Sequence, residues 1–352
     1  MEEKNLYQNV KKKICRMIYE DVYQDGELIP PERRLSEELG VSRVTVRRAL
    51  KLLEEEHIIE RIQGSGTRVA LEYGAREGSM DIITLVAPAQ NAFFSRFIDA
   101  FQTTAEELDS LVLFKQKPAN SSLEKCLFQI YEKDLRNVVL WLEDMELSQE
   151  ALRKLRGLGM NIVLFDTTFK SAYADAVCLN NCDAVKRLYS LLREKGCTRI
   201  GYVGWDEMLV RSVRAREREL VRLDPEATVC RMSWKYRNRP EEMPMKDVEE
   251  RLERLSGCDG VIYSVAELGI PFERRAREKK MFHRAAMIDM LPGAEELGIP
   301  VMEQDFQKMS EKIFDCLKRQ NQEGSAWKAG VYQVKGRMAP GTEKAAGEQE
   351  PQ

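Results

Sequence analysis

Residues 28–69 open Leu28-Ile29-Pro30-Pro31-Glu32-Arg33-Arg34-Leu35-Ser36-Glu37-Glu38-Leu39-Gly40-Val41-Ser42-Arg43-Val44-Thr45-Val46-Arg47-Arg48-Ala49-Leu50 and close Gln63-Gly64-Ser65-Gly66-Thr67-Arg68-Val69. Pro31 suits a first helical position, where a missing N–H costs nothing, and Glu32 suits the positive end of that helix. Gly40 ends the helix and Ser42 caps the next one. There Val46, Ala49, Leu50 and Leu53 recur at i, i+3, i+4 and i+7, a single buried stripe. The opposite side carries Arg43, Thr45, Arg47, Arg48 and Lys51, with no acid between Leu39 and Leu53. A helix of this kind fits the DNA major groove, where arginine donates twice to guanine and threonine meets a thymine methyl. The competing expectation is an ordinary solvated basic face. Ile58–Ile62 and Thr67–Val69, joined through Gly64-Ser65-Gly66, form a hairpin whose backbone N–H groups and Arg68 would meet phosphates.

Residues 6–70 resemble the winged helix of the gluconate-repressor (GntR) family of bacterial regulators. The resemblance is carried by Leu28–Ser36, Gly40–Leu50 and Gln63–Thr67. It implies that Arg33, Ser42, Arg43, Thr45 and Arg47 contact DNA, with Gly64 at the wing tip. His57 departs from the family, which has glycine after the Leu-Glu-Glu-Glu run. If the backbone takes a positive φ there, His57 costs about 1 kcal/mol of strain.

Outward from this module, 352 residues suggest two or three domains. A chain 43% hydrophobic and 32% charged is of ordinary globular composition, and a net charge of −3 argues against a general nucleic-acid binder. Residues 1–70 hold as many acids as bases, so any DNA attraction is local and salt-sensitive. No apolar run approaches the ~20 residues that span a bilayer, and the first residues carry no signal-peptide core. The expected compartment is the cytoplasm. Eight scattered cysteines without a Cys-x-x-Cys pair, and only two histidines, read as reduced thiols rather than a metal site. Neither metal nor cofactor is expected.

Residues 6–25 carry an amphipathic helix that should pack on the winged helix, with Lys11-Lys12-Lys13 solvated. Residues 71–80 read as a linker. From Asp81, apolar strands alternate with amphipathic helices, the pattern of parallel sheets covered on both faces, with ligands at the carboxyl ends of the strands. About 260 such residues divide naturally into two lobes. The final 339–352 is a polar tail expected to be disordered.

This second region resembles the periplasmic-binding-protein-like effector domain of the lactose/galactose-repressor family. Asn91–Ser95, Asn161–Asp166, Asn180-Asn181, Lys195–Gly204, Ser212–Arg216 and Gly298–Phe306 carry the likeness. The fold class expected is therefore α/β: a winged helix-turn-helix over 1–70, followed over 81–338 by a two-lobed (type I) domain with two parallel sheets. That arrangement is similar to the arabinose repressor of Gram-positive bacteria. Lobe 1 is expected at about 81–178 and 303–322, and lobe 2 at about 180–300 and 331–338. The chain would cross near 178–180, 300–304 and 322–331.

By family position the effector-binding residues would be Phe93, Phe94, Asp166, Asn181, Arg216, Asp289 and Gln304. A buried Arg216 needs a partner, which a ligand supplies. A place in a surface basic run competes for Arg216, the core competes for Phe93 and Phe94, and a structural turn competes for Asp289. Thr167 and Ala266-Glu267 depart from the family where two sugar-holding groups stand.

The resulting expectation is a homodimeric transcriptional regulator, most naturally a repressor. It would bind double-stranded operator DNA and respond to a sugar-like or other small polar effector. A DNA-binding protein whose second domain only dimerises is the first alternative. An enzyme is the second, since such modules are also fused to pyridoxal-phosphate domains. However, no Schiff-base lysine with a phosphate cup, Gly-x-Ser-x-Gly, His-Glu-x-x-His or Walker loop is present.

Overall fold

The computed structural model describes residues 2–71, 79–87, 91–118, 120–143, 145, 147–206, 211–237, 239–281 and 283–339. The chain begins with α1 (Glu2–Tyr19), then β1 (Leu28–Ile29), α2 (Glu32–Leu39), α3 (Arg43–Glu55), β2 (Ile59–Ile62) and β3 (Gly66–Val69). Gly40 sits at φ 66, its N–H bonded to the Ser36 carbonyl, so α2 stops where a left-handed residue is needed. The stripe Val46, Ala49, Leu50 and Leu53 is buried, as its spacing requires. Strand β3 pairs antiparallel with both β1 and β2, in the register Glu60↔Arg68 and Ile62↔Gly66, which forms the wing.

Lobe 1 holds β4 (Ile82–Ala87), α4 (Ala92–Glu107), β5 (Leu111–Gln116), α5 (Leu123–Glu132), β6 (Asn137–Trp141), α6 (Gln149–Gly157), β7 (Asn161–Phe165) and β8 (Asp175–Leu179). Lobe 2 holds α7 (Asn181–Glu194), β9 (Ile200–Trp205), α8 (Arg211–Leu223), β10 (Thr228–Met232), α9 (Met245–Arg254), β11 (Gly260–Tyr263), α10 (Ala266–Glu278), β12 (Arg284–Ile288) and β13 (Val301–Glu303). The chain then returns through α11 (Phe306–Gln322), β14 (Val331–Val334) and β15 (Arg337–Met338). The two six-stranded sheets run β14-β8-β7-β6-β4-β5 and β10-β9-β11-β12-β13-β15. All pairings within them are parallel except β13 with β15.

Two crossings fall where the sequence places them, at Leu179/Asn180 and after Glu303. The third does not. Residues 331–334 belong to lobe 1, paired in parallel with Ala176–Leu179, so the last crossing comes after Val334 and only 337–338 joins lobe 2. The reason is a buried anchor: the Asp175 carboxylate accepts from the Gly330 N–H (2.8 Å), Trp327 Nε1 (3.1 Å) and Gln320 Nε2 (2.7 Å). At the crossing a Cβ on Gly336 would lie 2.8 Å from the Glu303 carbonyl, so the two chains pass only because glycine stands there.

Helix α10 begins at Ala266, a turn before Pro271, which it contains. Burial of Ala266 and Leu268 accounts for that turn despite one lost backbone hydrogen bond. Ala339, expected in the disordered tail, is 3% exposed and its N–H bonds the Val301 carbonyl; residues 340–352 lie outside the described residues. Of the expected linker, residues 72–78 also lie outside them, while Leu71 is buried.

The winged helix is not loosely tethered. One apolar cluster runs from Val10 and Ile14 of α1 through Phe128 and Tyr131 of α5 to Leu152 and Leu155 of α6. Tyr19 stacks on Phe128 with ring centroids 4.3 Å apart, and its hydroxyl donates to the Glu124 carbonyl (3.2 Å). Lys154 donates to Asp21 (2.5 Å), Arg153 to Asp25 (2.9 Å), and Arg16 pairs with Glu132. Lys11, expected in solvent, is 6% exposed and bonded to Glu56, while Lys12 pairs with Asp134 at 3.0 Å. These lysines are consumed by packing.

Candidate DNA interface and effector cavity

Helix α3 presents its basic ridge outward. Arg43, Arg47, Arg48 and Lys51 are all exposed. Arg43 has no ion-pair partner among the described residues. Four others expected at DNA stand in ion pairs: Arg47 with Glu32 (3.0 Å), Arg33 with Glu37 (3.2 Å), Lys51 with Glu55 (3.6 Å) and Arg68 with Glu60. The acid-free stretch of sequence is thus not acid-free in space, because α2 brings Glu32 onto the ridge. Such surface pairs are weak and exchange readily for phosphate.

Ser42 caps α3, accepting from the Thr45 N–H (3.1 Å), and the two hydroxyls lie 2.8 Å apart. Thr45 is only 8% exposed, so its hydroxyl serves the cap and no open base-reading surface. The exposed apolar residue on this helix is Val44, at 56%. It leaves an apolar surface beside Arg43, and sequence reasoning passed it over although it falls off the buried stripe. Gly64 turns the wing tip at φ 77, and His57 stands at φ 52, so the condition for its strain is met.

Between the lobes lies a cavity of about 70 Å³, walled by residues from the carboxyl ends of the strands. That is room for about five water molecules or a small polar molecule. Lobe 1 contributes Phe93 and Trp141, with centroids 5.7 Å apart, and lobe 2 contributes Trp205 and Trp234, 5.9 Å apart and edge-on. Glu143, Asp166, Glu267, Asp289, Arg216 and Arg237 supply the charge.

Arg216 is 1% exposed, and protein acceptors hold its Nε and Nη1. Nε donates to Asn181 Oδ1 (2.7 Å), and Nη1 donates to the Ser264 carbonyl (2.6 Å) and to Asp289 (3.2 Å). Gln304 in turn donates to Asp289 (2.9 Å). Asn181 and Gln304 therefore stand behind the cavity and orient Arg216 and Asp289, which line it. Phe94 does not reach it: 1% exposed, it stacks on Trp141 at 4.8 Å as core. Of the seven expected residues, Phe93, Asp166, Arg216 and Asp289 reach the cavity wall.

Glu143 (φ 48), Asp166 (φ 53) and Asp289 (φ 71) each follow a strand in the left-handed region, which costs a non-glycine residue about 1 kcal/mol or more. Strained residues cluster at ligand sites, and three such acids on one cavity make it the candidate site. Burial pushes the Asp166 carboxyl up from 3.8 to about 7; Arg216 pulls it down, and Asp289 and Glu143 push it further up. Its Oδ1 has no hydrogen-bond partner among the described residues, nor has Gln304 Oε1. Cavity residues missed from sequence are Trp141, Glu143, Trp205, Trp234 and Arg237. Trp141 and Trp205 are the last residues of β6 and β9, and the other three follow β6 or β10 within a few positions, which was the available signal.

The lobes are bridged across the cleft by Arg237 to Glu143 (3.2 Å), Arg96 to Glu303 (2.9 Å) and Arg96 to the Met290 carbonyl (2.6 Å). Outside the cavity, a polar groove includes Glu124 at the start of α5, Ser148 capping α6, and Arg211, Arg214 and Arg218 of α8. Seven cysteines are buried and Cys182 is exposed, with all eight as free thiols. Among the described residues no cluster of His, Cys, Asp and Glu could hold a metal, and no helix is long and apolar enough to cross a membrane.

Comparison with known proteins agrees with both halves. The family described as "Bacterial regulatory proteins, gntR family" matches residues 6–69. The mannosyl-D-glycerate transport/metabolism system repressor MngR of Escherichia coli (strain K12) is 36% identical over 134 residues, covering 38% of this chain and 50% of that protein. The chain thus spans about half the length of that relative, and less of others. A LacI transcriptional regulator from a Rhodococcus species is similar in structure, with a TM-score of 0.61 at 13% identity, over 73% of this chain and 96% of that one. So is a periplasmic binding protein/LacI transcriptional regulator from Alkaliphilus metalliredigens QYMF complexed with D-xylulofuranose, with a TM-score of 0.57 at 12% identity, over 74% and 97%. Residues 6–69 thus match the gntR family of bacterial regulatory proteins, and the two-lobed region that follows has the fold of the LacI-type regulators.

Proposed function

We propose that this protein is a transcriptional repressor that binds operator DNA through α3 and its wing and is controlled by a small polar molecule held between the lobes. The observation that carries the reading is the outward ridge at Arg43, flanked by Val44 and Arg47, on a helix whose other face is buried. Arg43, Arg47 and Val44 enter the major groove, Arg33, Arg48 and Lys51 meet the flanking backbone, and Arg68 with the Gly64 turn follows the minor groove or phosphates. Glu32 holds Arg47 until the duplex replaces it. Two copies, paired through their effector domains, place two such helices on inverted half-sites.

The effector lies against Phe93, Trp141, Trp205 and Trp234, with Asp166, Arg216 and Asp289 as its polar partners. The resemblance to a regulator solved with D-xylulofuranose supports a ligand of about that size. Regulation needs a differential affinity of the ligand for two arrangements of the lobes. Helices α5 and α6 supply the route: both begin at the groove beside the cavity, and both grip the α1 region through Tyr19, Asp21 and Asp25. A shift at their first turns is felt directly by the winged helix.

The test is a gel shift with DNA flanking the protein's own gene. Sequence-selective binding that weakens steeply with salt is expected, and its absence on that DNA would sink the proposal.

A further inference from the structure

The structure assigns a charge to the effector: we infer that the part of it enclosed by the cavity is a positively charged nitrogen, an ammonium or alkylammonium head. The inference rests on the reading that this cavity holds the effector. The walls carry four carboxylates, from Glu143, Asp166, Glu267 and Asp289, against two guanidiniums, from Arg216 and Arg237. Both guanidiniums already meet carboxylates, Asp289 at 3.2 Å and Glu143 at 3.2 Å. As groups, the lining acids outnumber its bases by two, and one of them, Asp166, keeps an oxygen without a hydrogen-bond partner among the described residues.

The aromatic rings add to the same field. Phe93 and Trp141 from one lobe and Trp205 and Trp234 from the other line the space, and aromatic faces are electronegative; Arg237 already stands over Trp234, its Cζ 4.5 Å from the ring centroid, as a cation does on such a face. Asp166 Oδ1 has no partner among the described residues; ionised, it accepts hydrogen bonds, so the group that meets the ionised form donates. A neutral hydroxyl satisfies the hydrogen bond but leaves the charge of the ionised form unmatched. An ammonium satisfies both, and its alkyl carbons pack on the rings.

A proton linkage follows. Asp166 faces Arg216 of α8, Asp289 beyond β12, Glu143 beyond β6 and the Cys178 thiol of β8. Its carboxyl, raised to about 7 in the empty cavity, must be ionised to pair with a cation. Cation affinity is then full above that pH and falls by up to about tenfold per unit below it. A neutral ligand has no such dependence.

The experiment is calorimetric titration of the full chain with three pairs matched in shape: choline and 3,3-dimethylbutan-1-ol, putrescine and butane-1,4-diol, and glucamine and sorbitol. Each is run at pH 8 and pH 6, on the native chain and on Asp166→Asn. Expected is binding of at least one cation about tenfold or more tighter than its neutral partner at pH 8. That preference should shrink at pH 6 and vanish in Asp166→Asn, which still melts cooperatively. Binding of neutral members as tight as their cations, a preference indifferent to pH and to Asp166→Asn, or no binding by any cation would overturn the inference. A gel shift on the same preparation separates this failure from failure of the regulator reading: DNA binding persists in the first case and is missing in the second.

Discussion

The winged helix and the effector cavity solve opposite problems with the same residue types. On α3 the guanidiniums are exposed and loosely held by neighbouring acids, as a surface must be if a phosphate is to displace those acids. In the cavity Arg216 is buried and fixed by three acceptors, and the unsatisfied group is a carboxylate. The lesson is that a charged residue's role follows from what already occupies it. A loosely paired arginine is free to change partners, whereas one held at Nε and Nη1 is fixed in place.

The largest effect that would break this contrast is on Arg216. Arg216→Met removes one partner of a buried pair and strands Asp289, so stability should fall by about 3–5 kcal/mol in urea unfolding. A loss below about 1 kcal/mol would mean that these bonds do not hold the fold together.

Asp166→Asn comes next, with the opposite sign. A raised carboxyl pKa means the folded chain holds the proton more tightly than the unfolded one. Its stabilising contribution is complete below about pH 4 and lost as pH rises to about 7. The empty protein with asparagine should therefore be more stable at pH 8 by about 2–4 kcal/mol and little changed at pH 4. Equal stabilisation at both pH values would remove the charge from the explanation.

Tyr19→Ala probes the joint between the two regions. Losing the stack on Phe128 and the bond to the Glu124 carbonyl should cost about 2 kcal/mol and make the region after Val69 more sensitive to limited proteolysis. Unaltered cleavage would show that the winged helix is held elsewhere. The smallest effect is His57→Gly, which relieves a positive φ and should raise stability by about 1 kcal/mol.

Legibility in the sequence follows the range of the interactions. The winged helix is local: caps, stripe and turn are set by residues within a few positions of one another, and even the strain at His57 could be anticipated. What escaped was contact across elements, as with Glu32 on Arg47 or the burial of Lys11 against Glu56. In the two-lobed domain the alternation of strands and helices and two of the three crossings were readable. The third was not, because Asp175 captures Gly330 from 155 residues away. The cavity was half readable for the same reason. Asp166, Arg216 and Asp289 stand in recognisable strings, while Trp205, Trp234 and Arg237 acquire meaning only once two lobes face each other. Phe94, beside Phe93 in sequence, points into the core because successive helical positions face different sides.

The most direct measurement is footprinting of DNA flanking the protein's own gene by the native chain and by the Arg43→Ala, Arg47→Ala double variant, across a salt titration. The account predicts a protected inverted repeat that the variant occupies about 100-fold more weakly, with a shallower salt slope and an unchanged melting temperature. Equal protection by the two proteins would contradict it.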